Sequence, residues 1–336
     1  MDILLLAARH ESGKVSLAEV STTSVLTPSG SKLLDAVAFA LGENKYLGLY
    51  FKGQAAITLY HVAGDGTSLT KVVNSELRIN RKWDLLETFV LGNAPYLVAY
   101  RATQGIFEIY PVYPDFTTGV PYRFFRNHEP GITAGFDTVK FFSAQGKVAY
   151  LGYNQTTGAV GIYSLDATAT SPPVTPATPN GTAPLLSLNV WSHTWAPGWT
   201  RFAFFQFGGS NFFLKTNVAK PNVNIDHVMD SLSDGTVEVI SQLNLEDAQN
   251  LTFVEPFTMG NGDPYFITYR PDGIVTVERF HGNCLGWTRV AKKKKVPVRA
   301  AQLVPIKTED MQLFALCIPK STPPLRKAMK KAVRKG

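Results

Sequence analysis

Cysteine is nearly missing from this 336-residue chain, which has only Cys284 and Cys317. Two thiols make no framework, so both are expected to stay reduced and a disulfide-stapled fold is excluded. Long apolar runs are also missing. A membrane-spanning helix needs about 20 apolar residues, and no window of the sequence supplies them. The apolar stretch Ile3 to Ala8 lacks a basic lead and is too short for the core of a signal peptide. The chain is therefore expected to be cytoplasmic or to be exported without a signal peptide. Catalytic signatures are scarce as well. There is no phosphate-binding Gly-rich loop with its Lys, no Gly-x-Ser-x-Gly and no His-Glu-x-x-His. The six histidines, His10, His61, His128, His193, His227 and His281, are scattered without metal-ligand spacing. Asp226, Asp263 and Asp272 occupy strand-end or turn positions that explain them without chemistry. No catalytic residue, metal or cofactor is assigned, and the chain reads as non-enzymatic.

What the sequence has in quantity is turns and aromatics. With 27 Gly, 21 Pro and 12% aromatic residues, it is punctuated too often for long helices. The stretch from Glu255 to Phe280 shows the unit. Tyr265 to Tyr269 is aromatic and β-branched, Asp272-Gly273 supplies the turn, and Ile274 to Glu278 alternates apolar with polar. The same phrase recurs at Glu87 to Tyr110, Tyr46 to Val62, Ala149 to Leu165 and Phe212 to Val228. Met1 to Val20 reads as another copy, and Leu313 to Pro319 gives its first half. The end of the first strand falls near Ala8 and then at Tyr50, Tyr100, Tyr153, Thr216, Tyr269 and Cys317. The steps are about 42, 50, 53, 63, 53 and 48 residues, the length of one four-stranded propeller blade.

Apolar stretches before each hairpin supply an innermost strand, as at Leu34 to Leu41, Leu85 to Leu91 and Thr200 to Phe207. Short segments after each, such as Ser68 to Val73 and Val237 to Leu243, supply an outermost one. The expected fold is all-β: a propeller of six four-stranded blades over residues 1–320, with a basic tail at 321–336. The chain begins on a hairpin and ends on the two inner strands of a blade, so pairing its ends closes the ring in one shared blade and removes sheet edges. Seven blades are the alternative. The Pro- and Thr-rich stretch from Ala167 to Pro184 reads as a loop and accounts for the longest step.

Charge is uneven. From Arg289 to Gly336 there are 14 Lys and Arg against Glu309 and Asp310, a net of +12, while the whole chain is +7. Lys292, Lys293, Lys294 and Lys295 resemble a nuclear-import signal. Arg326, Lys327, Lys330 and Lys331 surround a thin apolar stripe of Leu325, Met329 and Val333. These eight cations are the expected contacts to a polyanion or protein partner.

In a propeller the turns between the second and third strands share a face with the crossings between blades. Arg9-His10, Lys52, Arg101, Asn154, Asn217 and Arg270 are read onto those turns, and Trp83, Trp191, Trp195 and Trp199 onto the crossings. A sugar stacks its C–H face on a ring and hydrogen-bonds its hydroxyls to Arg and Asn. Trp83, Arg101, Trp195, Trp199, Asn217 and Arg270 are therefore the candidate ligand-binding residues. The alternative for each Trp is an anchor between blades. The phrases Gly198-Trp-Thr-Arg-Phe, Phe207-Gly-Gly, Phe212-Phe-Leu-Lys-Thr and Val223-Asn-Ile-Asp-His-Val resemble the repeats of tectonin- and tachylectin-like propeller lectins, and the blade number resembles that of fungal fucose-binding lectins. The resemblance implies multivalent binding of glycans or glycoproteins in pockets between blades, without catalysis. The sequence departs from it where Asp35, Gly135 and Asn250 stand near the places matching Trp83 and Trp199. The alternative function is a protein-docking scaffold with a basic tail.

Overall fold

The computed structural model describes residues 1–73, 77–79, 83–91, 94–118, 122–124, 135–144, 147–166, 186–217, 222–229, 237–244, 251–260, 262–282, 286–308 and 311–320. The expected tail at 321–336, the loop at 167–184 and Cys284 lie outside them. Among the described residues no helix is long and apolar enough to cross a membrane.

The chain opens on β1 (Asp2–Glu11) and β2 (Lys14–Ser24). Five complete blades follow. The first is β3 (Leu33–Leu41), β4 (Asn44–Phe51), β5 (Thr58–Val62) and β6 (Leu69–Lys71), and the second is β7 (Leu85–Leu91), β8 (Ala94–Arg101), β9 (Ile106–Pro111) and β10 (Tyr122–Phe124). The third is β11 (Thr138–Ala144), β12 (Lys147–Tyr153), β13 (Ala159–Asp166) and β14 (Leu186–Thr194), and the fourth is β15 (Trp199–Phe207), β16 (Ser210–Asn217), β17 (Asn222–Val228) and β18 (Val237–Asn244). The fifth is β19 (Phe253–Thr258), β20 (Pro264–Tyr269), β21 (Val275–Phe280) and β22 (Trp287–Lys293). The sixth is shared: β23 (Gln302–Lys307) and β24 (Gln312–Ile318) pair with β1 and β2 in the order β2-β1-β24-β23. The protein is thus a six-bladed, all-antiparallel propeller closed by its own ends, and the seven-blade alternative falls away.

Second strands carry the aromatic phrase because both of their faces are buried. The burial of β8, β12, β20 and β24 is nearly continuous, which requires apolar residues at successive positions rather than at every second one. The outermost β2, half in water, alternates instead. Six apolar clusters fill the spaces between neighbouring blades, such as Tyr46, Tyr50, Leu59, Trp83, Leu86 and Leu97 between the first and second. A tyrosine at the end of three second strands locks the next crossing in place. Tyr153 Oη accepts from the Trp199 amide at 3.3 Å and donates to the Ala196 carbonyl at 2.9 Å. Tyr269 Oη does the same with Ala300 (3.0 Å) and Pro297 (2.9 Å), and Tyr100 Oη accepts from Phe136 at 3.1 Å.

One strand assignment changes. β1 pairs with β24 from Asp2↔Ile318 to Ala8↔Gln312, so it is the third strand of its blade. Residues 1–20 form the outer half of the shared blade, as closure by the paired ends requires, but Ala8 falls on a third strand rather than a second one. Arg9 and His10 lie at the turn between β1 and β2, on the face opposite to that expected. Trp191 belongs to the outermost strand β14 rather than to a crossing.

Candidate functional site

Every innermost strand is mostly apolar and carries one charged or amide side chain within its first three residues. Asp35 on β3, Glu87 on β7, Lys140 on β11, Arg201 on β15, Glu255 on β19 and Gln302 on β23 all line the central channel, which encloses about 370 Å³. Strand register places them in two tiers. Asp35 faces Tyr50, Arg201 faces Thr216 and Gln302 faces Cys317 across their hairpins. Glu87, Lys140 and Glu255 face Val98, Leu151 and Ile267, two residues further along their strands, a step of about 7 Å. β-Bulges interrupt the pairing just before Asp35 and just before Arg201. A bulge adds one residue to one strand and re-aims the side chain that follows.

The six side chains are not equally engaged. Lys140 Nζ is paired with Glu87 Oε2 at 2.7 Å. Asp35 accepts the backbone N–H groups of Ala36 at 2.8 Å and Leu86 at 2.9 Å, and Gln302 Nε2 approaches it at 3.4 Å. Arg201 lies with its guanidinium carbon 4.6 Å from the centre of the Phe253 ring. Among the described residues, neither Arg201 nor Glu255 has a hydrogen-bond or ion-pair partner; they feel each other's charge across the channel.

Burial disfavours charge here, and neighbouring charges restore part of it. Burial raises Glu255 to about 7 against the pull of Lys140 and Arg201, and raises Asp35 to about 6 against its backbone donors. Burial by itself would lower Lys140, but Glu87, Glu255 and Asp35 outweigh it and hold Lys140 above its ordinary value. Burial lowers Arg201. Because both raised carboxyls bind their protons more tightly in the folded than in the unfolded chain, folding becomes more favourable as pH falls from 8. The gain is complete below the ordinary values of 4.5 and 3.8. Denaturation between pH 8 and pH 5 is expected to show stability rising by about 4 kcal/mol from these two groups, with Asp226, likewise raised to about 6, adding to it. Glu255→Gln should remove the largest share of that rise; an unchanged slope would remove Glu255 from it.

The residues expected to hold sugar sit elsewhere. Trp83 is 3% and Trp199 7% exposed, each packed in an inter-blade cluster. Arg101 stacks over Trp83 at 4.9 Å and donates to Gln104 at 2.7 Å. Asn217 is buried and donates to the Pro197 carbonyl at 3.3 Å. Trp195 is half-buried, and Lys215 Nζ lies 3.9 Å above its ring and 5.0 Å from that of Trp199. Arg270 is paired with Asp272 at 2.8 Å. These residues are spread over the blade-crossing face, by the second, fourth and fifth blades, and do not meet in one place. Lys292 and Lys293 end the outermost strand β22, and the exposed Lys294 and Lys295 begin the crossing into the shared blade. Arg326, Lys327, Lys330 and Lys331 lie outside the described residues. Cys317 is a free, buried thiol whose burial pushes it up to about 12.

Sequence reasoning missed the channel. Its signal was present: Leu34-Asp35, Leu86-Glu87, Val139-Lys140, Thr200-Arg201 and Val254-Glu255 each put one charge early in an inner strand that is otherwise largely uncharged.

No family model matches the chain, and no curated protein matches it. Solved propellers are similar in architecture. The Pseudomonas aeruginosa periplasmic gluconolactonase PpgL has 10% identity over 95% of this chain and 100% of that one, with a TM-score of 0.46. The SapL1 lectin in complex with alpha methyl fucoside has 8% identity over 85% and 96%, with a TM-score of 0.49. The exo-beta-1,3-galactanase of Phanerochaete chrysosporium has 9% identity over 76% and 59%, with a TM-score of 0.46.

Proposed function

We propose that this propeller binds a carbohydrate without transforming it, and that the ligand sits in the axial channel rather than in the grooves between blades. The observation that carries this reading is the convergence of six polar side chains, one from each blade, on a channel of about 370 Å³. A channel of that size admits a monosaccharide or a small disaccharide. Unpartnered charges such as Arg201 and Glu255 cost stability when enclosed by protein, and a ligand rich in hydroxyls offers each of them hydrogen bonds. The same engagement pattern argues for binding over hydrolysis. Cleavage of a glycosidic bond generally takes two carboxyl groups acting together. Here Glu87 is held by Lys140, Asp35 by two backbone donors and Asp137 by the Gln155 N–H, so among the described lining residues every carboxyl but Glu255 already has a donor.

The test is a glycan array followed by calorimetry on the sugar it selects. Arg201→Ala combined with Glu255→Ala, which strips both unpaired charges from the channel, is expected to weaken binding at least tenfold, and Arg270→Ala and Arg101→Ala, which change the blade-crossing face, less than twofold. The opposite ranking in folded variants would move the site to the inter-blade positions.

A further inference from the structure

Resting on that axial reading, we infer that the channel takes an acidic sugar such as a uronic acid, whose carboxylate docks on Arg201 while its hydroxyls donate to Glu255 and Asp35.

Elimination among the channel's charges leaves Arg201 as the site for an anion. Lys140 is committed to Glu87 at 2.7 Å and is not free to hold an anion. Arg201 is the channel's other cation, and it has no carboxylate partner among the described residues. Its guanidinium is packed on the Phe253 ring at 4.6 Å. Stacking consumes the face of a guanidinium and leaves its in-plane N–H groups, which form the fork that a carboxylate engages through two parallel hydrogen bonds. The bulge before Arg201 sets this side chain at the tier of Asp35 and Gln302. Asp35 is fixed by backbone donors and keeps acceptor capacity for a hydroxyl.

Charge balance then assigns a second role to Glu255. Among the described residues the channel lining holds four carboxyl groups, Asp35, Glu87, Glu255 and the more exposed Asp137, against two cations, so an incoming anion makes the enclosed charge more negative. Glu255 on β19 shares the channel with Arg201 from β15, Lys140 from β11 and Asp137 just before that strand, Glu87 from β7, Asp35 from β3 and Gln302 from β23, and feels the charges of Lys140, Arg201 and Glu87. It is the carboxyl with no hydrogen bond to hold it ionised, so it takes up a proton from solvent when the acid binds. Acid affinity should therefore increase as pH falls, whereas neutral sugars should bind with little pH dependence.

Calorimetry with galacturonate and glucuronate, and with galactose and glucose as neutral counterparts, tests this at pH 8 and pH 6. The acids are expected to bind at least tenfold more tightly than the neutral sugars. Arg201→Gln should erase that preference, and Arg201→Lys, which keeps the charge and loses the fork, should retain only part of it. Severalfold tighter acid binding at pH 6, with proton uptake at pH 8 read from buffers of different ionisation enthalpy, is expected and should vanish in Glu255→Gln. Equal affinity for acid and neutral sugars overturns the acidic-sugar assignment and leaves the axial reading standing. An acid preference that survives in folded Arg201→Gln overturns the role of Arg201. Binding by neither series overturns this inference, and glycan binding that survives in folded Arg201→Ala with Glu255→Ala overturns the axial reading beneath it.

Discussion

A chain that begins at Val25, without β1 and β2, is expected to lose cooperative unfolding and to aggregate. In the intact ring β1 lies between β24 and β2, with seven residue pairs in register to β24 from Asp2↔Ile318 to Ala8↔Gln312. Ile3, Leu4, Leu5 and Leu6 are at most 1% exposed. Burying four such side chains is worth about 6–12 kcal/mol, which is comparable with the entire stability of a typical domain, about 5–15 kcal/mol. Deletion also leaves β24, LFALC at its centre, with an unpaired edge beside apolar side chains, the arrangement that templates aggregation. Ile3 and Leu5 pack toward the first blade and Leu4 and Leu6 toward the fifth, so the loss opens two of the six blade contacts at once. Circular dichroism melts and size exclusion of the truncated chain, with and without a peptide spanning residues 1–24, give the readout. A soluble truncated chain with an unchanged melt would mean that the ring does not depend on its shared blade.

The ring and its closure were legible because their physical cause acts on contiguous residues. A second strand buried on both faces must be apolar at nearly every position, and this wrote Tyr-Leu-Gly-Leu-Tyr, Tyr-Leu-Val-Ala-Tyr and Tyr-Phe-Ile-Thr-Tyr at blade spacing. The missing inner strands at one end and the unmatched ones at the other then fixed the shared blade. The strand identity of β1 was harder to read, since an apolar run pairing with β24 looks like any other central strand until its neighbours are known. The channel was illegible for a different reason. Asp35, Glu87, Lys140, Arg201 and Glu255 are each a single charge in a separate strand, and no local pattern says that all five point to one axis. Only the ring geometry brings them together, and the bulges that set Asp35 and Arg201 have no fixed signature. The tryptophans illustrate the converse. Trp195 and Trp199 share a segment and suggest a stacking platform, but the cation over both rings comes from Lys215, on a strand that the sequence separates from them.

That cation carries the second large effect. Lys215 is 3% and Asp226 0% exposed, and they pair at 2.9 Å inside the fourth blade. Asp226 Oδ2 has no hydrogen-bond partner among the described residues, and burial raises Asp226 to about 6 while it lowers Lys215. The pair is therefore poorly compensated for its desolvation, and Trp195 and Trp199 supply part of what is missing through their ring faces. Asp226→Ala leaves a buried ammonium with only those rings and is expected to cost about 3–5 kcal/mol. Replacing both partners, Lys215→Met with Asp226→Leu, removes both charges and keeps the volume, so it should restore wild-type stability or exceed it. Chemical denaturation of the two single variants and the double variant closes the cycle, and its coupling term isolates the pair from the packing around it. A double variant as unstable as Asp226→Ala would show that the packing of these side chains, not their charge, holds the fourth blade against the crossing at Trp195.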